Sequence, residues 1–141
     1  MMEMYEDYEE ENWELLDIFR EDMEKKSLSE KTIRKHINNV SFYINDFLLY
    51  GEPVSAMDGW SSIGYFLGDF FIRKCMWSTP GTIKSTAASI KKFYKCMCDC
   101  GKLEKEAYQD LCAIIKEDME EWQEECELYN DTSQPNPFGI F

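Results

Sequence analysis

Apolar side chains recur every three or four positions along most of this chain, and no other feature constrains its fold as strongly. Such spacing places side chains on one face of an α-helix, whereas a half-buried strand requires strict alternation. Five segments carry the helical spacing, and neither a strand pattern nor an internal repeat interrupts them. The sequence therefore predicts an all-α fold, a compact bundle of four to five helices.

Capping residues and chain breakers set the predicted ends of the first three helices. A first helix is predicted over residues 12–26, after an acidic extension at 1–11 that we expect to fray. The second begins after Ser29, a good N-cap, and stops at Gly51. The third covers about residues 61–76 and is the most apolar, so we expect it to form the centre of the core. The predicted buried face of the first helix consists of Trp13, Leu16, Phe19 and Met23.

Two more helices are predicted in the second half of the chain. Thr82 can cap a fourth helix, Gly101 ends it, and Leu103 is placed for the apolar contact that accompanies a glycine C-cap. A fifth, acidic helix is predicted over about residues 104–128. Residues 130–141 contain two prolines and lack periodicity, so they are predicted to form a non-helical tail.

The length of 141 residues predicts one domain, placed here at residues 12–129. The N-terminus is acidic and lacks the apolar region of a signal peptide. The most apolar stretch, residues 63–72, is far shorter than the roughly 20 residues of a membrane span, and Asp69 interrupts it. We therefore expect a cytoplasmic protein that does not enter a membrane, with its six cysteines as free thiols.

No pattern of catalytic or metal-binding residues stands out. Cys96, Cys98 and Cys100 look like a metal cluster, but on a helix the first and third share a face while the second points away. His36 has no cysteine or serine partner at a recognisable spacing and is interpreted as a surface or boundary histidine. No glycine-rich phosphate loop occurs. We therefore expect no enzymatic activity, no cofactor, no metal and no small-molecule substrate.

The charges of the chain are divided among three regions. The net charge of −13 by itself argues against nucleic-acid binding. Residues 27–103, however, hold ten basic and six acidic side chains, a net charge of +4. Residues 1–26 carry −8 and residues 104–141 carry −9. Acidic ends therefore flank a basic middle.

Basic and amide side chains of this middle region lie on the helix faces opposite the apolar stripes. Lysine and arginine contact phosphates, and asparagine adds short polar contacts to the backbone or the bases. The alternative is that these residues form the ordinary solvated faces of amphipathic helices. The candidate DNA contacts are Lys31, Arg34, Lys35 and Asn38 on the second helix and Lys84, Lys91, Lys92 and Lys95 on the fourth.

Four short motifs follow one another as in a known family of DNA-binding domains. They are Leu-Ser-Glu-Lys-Thr-Ile at 28–33, Thr82-Ile83, Ser-Ile-Lys-Lys-Phe-Tyr at 89–94, and Gly101-Lys102-Leu103. Over about residues 12–110 the chain thereby resembles the N-terminal core-binding domain of the tyrosine recombinases, or phage integrases. The motifs are mainly core and capping positions, so they bear on the fold more strongly than on function.

The resemblance implies a SAM-like helical bundle whose second and fourth helices lie on DNA. It also implies an accessory or remnant of site-specific recombination. In the family a catalytic domain follows, whereas this chain ends at Phe141, so we expect no strand cleavage. The Asn-Pro that commonly opens the interdomain linker is replaced by Glu104-Lys105-Glu106-Ala107, and an acidic helix continues instead.

The acidic fifth helix and the aromatic tail favour a second interpretation. The helix can bind a basic protein partner, mediate a homodimer, or cover the basic face of the bundle. The tail, residues 135–141, can act as a docking peptide or fold back on its own bundle. Under this interpretation the chain is a protein-interaction or homo-oligomerisation module.

Overall fold

Five helices make up the fold. The computed structural model describes residues 2–133 of the chain and the side chains of residues 4–131. No strand occurs in this range, so the all-α class is confirmed. Three helices are regular: α1 (Met2–Lys25), α4 (Pro80–Asp99) and α5 (Lys105–Ser133). Helix α2 consists of Glu30–Ser41 and a π-helical turn, Phe42–Phe47. Helix α3 consists of a 3-10 turn (Gly59–Ser62), a short α-helical segment (Ile63–Tyr65), a π-helical turn (Phe66–Phe70) and a last α-helical segment (Phe71–Lys74).

The centre of the bundle is α4, and not the more apolar α3 that the sequence favoured. Buried side chains occur along the whole length of α4, and this helix packs against α1, α2 and α5. Residues 105–123 of α5 run antiparallel beside it. Lys95 Nζ lies 5.9 Å above the ring of Tyr108 at one end, and Gln123 Nε2 donates to the Pro80 carbonyl at 2.9 Å at the other. The most apolar helix of this bundle is therefore not the one that packs against the most neighbours.

The first helix begins at Met2, so residues 2–11 are helical and not the frayed extension that the sequence predicts. Acidic side chains near a helix N-terminus interact favourably with the helix dipole, and a charge run there is compatible with helix. The predicted face is also shifted, because Trp13 is 52% exposed whereas Asn12 is fully buried. The core face of α1 instead contains Leu15 beside Leu16, Phe19 and Met23.

The burial of Asn12 is explained by the π-helical turn at the end of α2. In that turn Leu48 N donates to the Tyr43 carbonyl at 2.9 Å, an i to i+5 hydrogen bond. The carbonyl of Ile44 thereby loses its ordinary helical donor. Asn12 Nδ2 replaces it, donating to the Ile44 carbonyl at 3.0 Å and to Asn45 Oδ1 at 2.9 Å. These bonds attach α1 to α2.

The helix caps agree with the sequence in two places and differ in one. Ser29 caps α2 and accepts from Thr32 N, as predicted. Gly101 ends α4 with φ of +80°. At the start of α4, however, the N-cap is Thr79 and not Thr82. Thr82 is the third residue of the helix, and its hydroxyl accepts from Thr79 N at 2.8 Å. Pro80 suits the first helical position because it has no N–H to satisfy.

The last helix is longer than the sequence indicated. It extends to Ser133, so the prediction that residues from 130 onward are non-helical is wrong for residues 130–133. The remainder of the predicted tail, residues 134–141, lies outside the described residues. Across residues 2–133, no helix combines the length and apolar character needed to cross a membrane.

Candidate nucleic-acid interface

A polar seam joins α2 to α4. Its centre is Ser89, which is fully buried although it is polar. Ser89 Oγ lies 2.7 Å from His36 Nδ1, accepts from Asn39 Nδ2 at 3.0 Å, and lies 3.3 Å from the Ser85 carbonyl. Buried polar groups require such partners, so the seam holds the two helices in one relative position. We call Ser85, Ser89, His36 and Asn39 the polar seam.

Lysines of both helices border this seam. The pKa of His36 lies below its ordinary value of 6.5, first because of burial and then because of the positive charges of Lys35 and Lys92. Lys35 belongs to α2 and Lys92 to α4, so both helices bring positive charge to the same imidazole. The basic faces of α2 and α4 therefore approach one another at Lys35 and Lys92.

The eight candidate contacts differ in their ion pairing. Arg34 pairs with Glu30 at 3.6 Å, and Lys95 pairs with Asp99 at 2.9 Å. Within residues 4–131, none of the other candidate lysines has a carboxylate within 4.0 Å. We call this group the unpaired lysines: Lys31, Lys35, Lys84, Lys91 and Lys92. All are exposed except Lys92, which is half-buried, and Asn38 is also exposed.

The acidic α5 packs against α4 without pairing with its lysines among the described residues. Among the described residues, no α5 carboxylate forms an ion pair with any candidate contact. The α5 contact observed with the candidate set is the ring of Tyr108, which lies beneath Lys95. Lys84 and Lys91 remain exposed beside α5. The unpaired lysines are therefore accessible to an anion.

The partner of His36 is the functional feature that the sequence analysis missed. His36 is half-buried, as expected of a boundary histidine, and its partner Ser89 is 53 positions away rather than at a recognisable spacing. The available signal was the pair Ser85 and Ser89, which share the polar side of α4 next to the apolar stripe. No spacing along the chain could connect that pair to α2, since the contact is tertiary.

The cysteine run on α4 is arranged as its helical spacing predicted. Cys96 and Cys100 line one hollow beside α1, whereas Cys98 lines another beside α5. Burial raises the pKa of the Cys96 thiol to about 12, which keeps it protonated at neutral pH. In the part of the chain that the structure describes, no cluster of three or more histidine, cysteine or acidic side chains is placed to hold a metal ion.

Comparison with known proteins gave no match to a family model, to a curated protein or to a solved structure. The resemblance to the recombinase core-binding domain therefore stands on the sequence motifs.

Proposed function

We propose that this chain binds duplex DNA through the face formed by α2 and α4, as a non-catalytic domain of the kind used in site-specific recombination. One observation carries the proposal: Lys35 of α2 and Lys92 of α4 lie close to the same histidine of the polar seam. Lys35 and Lys92 both act on His36, so positive charge from the two helices is concentrated in one place. A duplex backbone presents a repeating row of phosphates that such a surface can contact.

The unpaired state of these lysines supports phosphate binding. A lysine that already holds a carboxylate must exchange that partner before it gains a phosphate, and the net gain is small. Arg34 and Lys95 are in this position because of Glu30 and Asp99. Lys35, Lys84 and Lys91 have no such partner among residues 4–131. We expect these three to contribute most of the affinity.

The overall charge of −13 weakens binding without excluding it. Charges on the surface are screened over about 8 Å at physiological salt, so the carboxylates of α5, which packs directly on α4, oppose binding more than the remote ones do. The acidic side chains are concentrated in residues 1–26 and 104–141, and the basic faces lie on α2 and α4 between them. We expect weak binding that depends steeply on salt.

The test is a fluorescence-anisotropy titration of labelled duplex DNA at several salt concentrations. The variant Lys35→Gln/Lys91→Gln removes two positive charges from the proposed face. Each phosphate contact contributes about −0.9 to the slope of log K against log salt, so the slope should become shallower by about 2.

A matched control separates this face from net charge. Lys25→Gln/Lys74→Gln removes the same charge from α1 and α3, and its salt slope should equal that of the parent chain. Absence of salt-dependent binding by the parent chain, or equal losses in the two variants, contradicts the proposal.

A further inference from the structure

A second surface of the molecule has the opposite charge. It is a cleft of about 490 Å³ between α3 and α5. Two glycines of α3, Gly64 and Gly68, face Trp122 of α5 across it, and Tyr65 is 73% exposed at its edge. A Cβ at Gly68 would lie 2.9 Å from Trp122 Cδ1, so glycine is what lets the indole pack this closely.

Trp122 is almost completely buried, with 4% of its surface exposed, yet its indole nitrogen makes no hydrogen bond to the described residues. An indole N–H is a donor only, and it normally finds an acceptor when the ring is buried. Among the described side chains, Asn12 Oδ1 is the one N or O atom that is both sealed from solvent and without a partner, so Trp122 Nε1 is not sealed from solvent. Trp122 Nε1 therefore still reaches the cleft and is free to donate to whatever occupies it.

Three of the four carboxylates that line the cleft have no cationic partner among the described residues. Asp69 is held by Arg73 through two hydrogen bonds of 2.8 and 3.2 Å. Asp118, Glu121 and Glu125, which line the α5 side, have no basic side chain within 4.0 Å among residues 4–131. Three carboxylates around one aromatic floor fit a cationic occupant with apolar parts.

We propose that this cleft binds a lysine- or arginine-rich segment of a partner protein. Its cations lie against Asp118, Glu121 and Glu125, its apolar stems cover Tyr65 and Trp122, and a backbone carbonyl accepts from Trp122 Nε1. Two features favour a peptide over a metal ion or a small cation. The described residues contain no metal-binding cluster, and the lining of the cleft extends over about two turns of α5, from Asp118 to Glu125, a length that suits an extended or helical segment. The proposal does not depend on DNA binding, since the cleft and the polar seam share no residue.

The probe is a synthetic 15-residue peptide with lysine and leucine at helical spacing, and its counterpart has glutamate at each lysine position. Titration calorimetry with the full chain should show binding of the lysine peptide only. An HSQC titration should show the Trp122 indole N–H resonance shifting with the same affinity, assigned by its loss in Trp122→Phe.

Two variants with the same charge change locate the contact. Glu121→Gln/Glu125→Gln should weaken peptide binding about tenfold, whereas Glu120→Gln/Glu127→Gln, outside the cleft on the same helix, should change it by about twofold or less. Equal losses of peptide affinity in both variants would mean that the peptide responds only to the net charge of the protein, and this result would overturn the site. Two other results overturn the assignment to a partner: no binding of the lysine peptide, or a homodimer that Glu121→Gln/Glu125→Gln dissolves.

Discussion

The α2–α4 face and the α3–α5 cleft are both built where two helices meet, yet they differ in almost every property. The first is bordered by lysines and held together by buried hydrogen bonds around Ser89. The second is bordered by carboxylates and held together by an indole packed on glycine. Its helices meet through apolar contact, and three of its four carboxylates have no cationic partner among the described residues. The net charge of the chain describes neither surface, because opposite charges are sorted onto different helix pairs.

The comparison also shows two ways of fixing one helix against another. A buried hydroxyl with several partners specifies geometry, but each such hydrogen bond contributes only about 1 kcal/mol net. A large aromatic side chain in a close-fitting groove contributes several times as much through burial, about 3–5 kcal/mol for truncation to alanine. We therefore expect the acidic cleft to matter more for stability, and the polar seam to matter more for the relative position of α2 and α4.

The largest effect should come from Trp122→Ala. Removing a buried indole leaves a cavity between α3 and α5 and should lower the free energy of unfolding by about 3–5 kcal/mol. Urea denaturation followed by circular dichroism measures this change. The matched control is Trp77→Ala, because Trp77 is 62% exposed and its loss should cost less than about 0.5 kcal/mol. Similar losses in the two variants would contradict the packing role of Trp122.

A smaller effect is expected from Ser89→Ala, which removes the centre of the polar seam. His36 and Asn39 lose their shared partner but are half-buried and can turn toward water, so the cost should be about 1 kcal/mol. Ser61→Ala, at an exposed serine of α3, is the control and should be neutral. If the seam positions the two helices for DNA, Ser89→Ala should also weaken DNA binding at salt and temperature where the variant stays fully folded. Unchanged binding would separate the seam from the DNA face.

The smallest effect concerns pH. His36 has a pKa below 6.5 in the folded chain, because of burial and then of Lys35 and Lys92. The unfolded chain therefore binds a proton first as pH falls, and stability is lost from about pH 6.5 down to the folded pKa. Below the folded pKa, the contribution of His36 to the free energy of unfolding no longer changes with pH. His36→Gln should remove this component from the pH dependence of the melting temperature.

The same histidine reports on the two lysines. It is the single histidine of the chain, so its NMR titration needs no assignment. Phosphates bound near Lys35 and Lys92 would offset their charges and raise the pKa of His36, and DNA binding should then tighten as pH falls through this range. A histidine pKa that does not change on adding DNA would place the DNA elsewhere.

Much of the local structure could be predicted because it depends on neighbouring residues. The spacing of Ile33, Val40 and Ile44 identifies the buried side of α2, and Ser29 and Gly101 mark helix ends by their own chemistry. Errors arose where two neighbouring patterns compete. Thr79 and Thr82 both satisfy the cap chemistry, and Pro80 decides between them. In α1, Trp13 fits the apolar spacing as well as Leu15 does, but the hydrogen bonds of Asn12 to a neighbouring helix set the rotation.

The sequence by itself determined the helical class, the polar and apolar faces of the helices other than α1, and the division of charge into a basic middle and acidic ends. These properties follow from interactions between residues close together in the chain, and the spacing of apolar side chains reveals them. Only the tertiary structure decided that α4 is central, that Ser89 meets His36, and that Trp122 lies on Gly68. Those pairings depend on how helix surfaces fit one another, and residues far apart in the chain carry no local sign of it. The fit of the helices thus places the positive and negative surfaces on separate helix pairs of one small bundle.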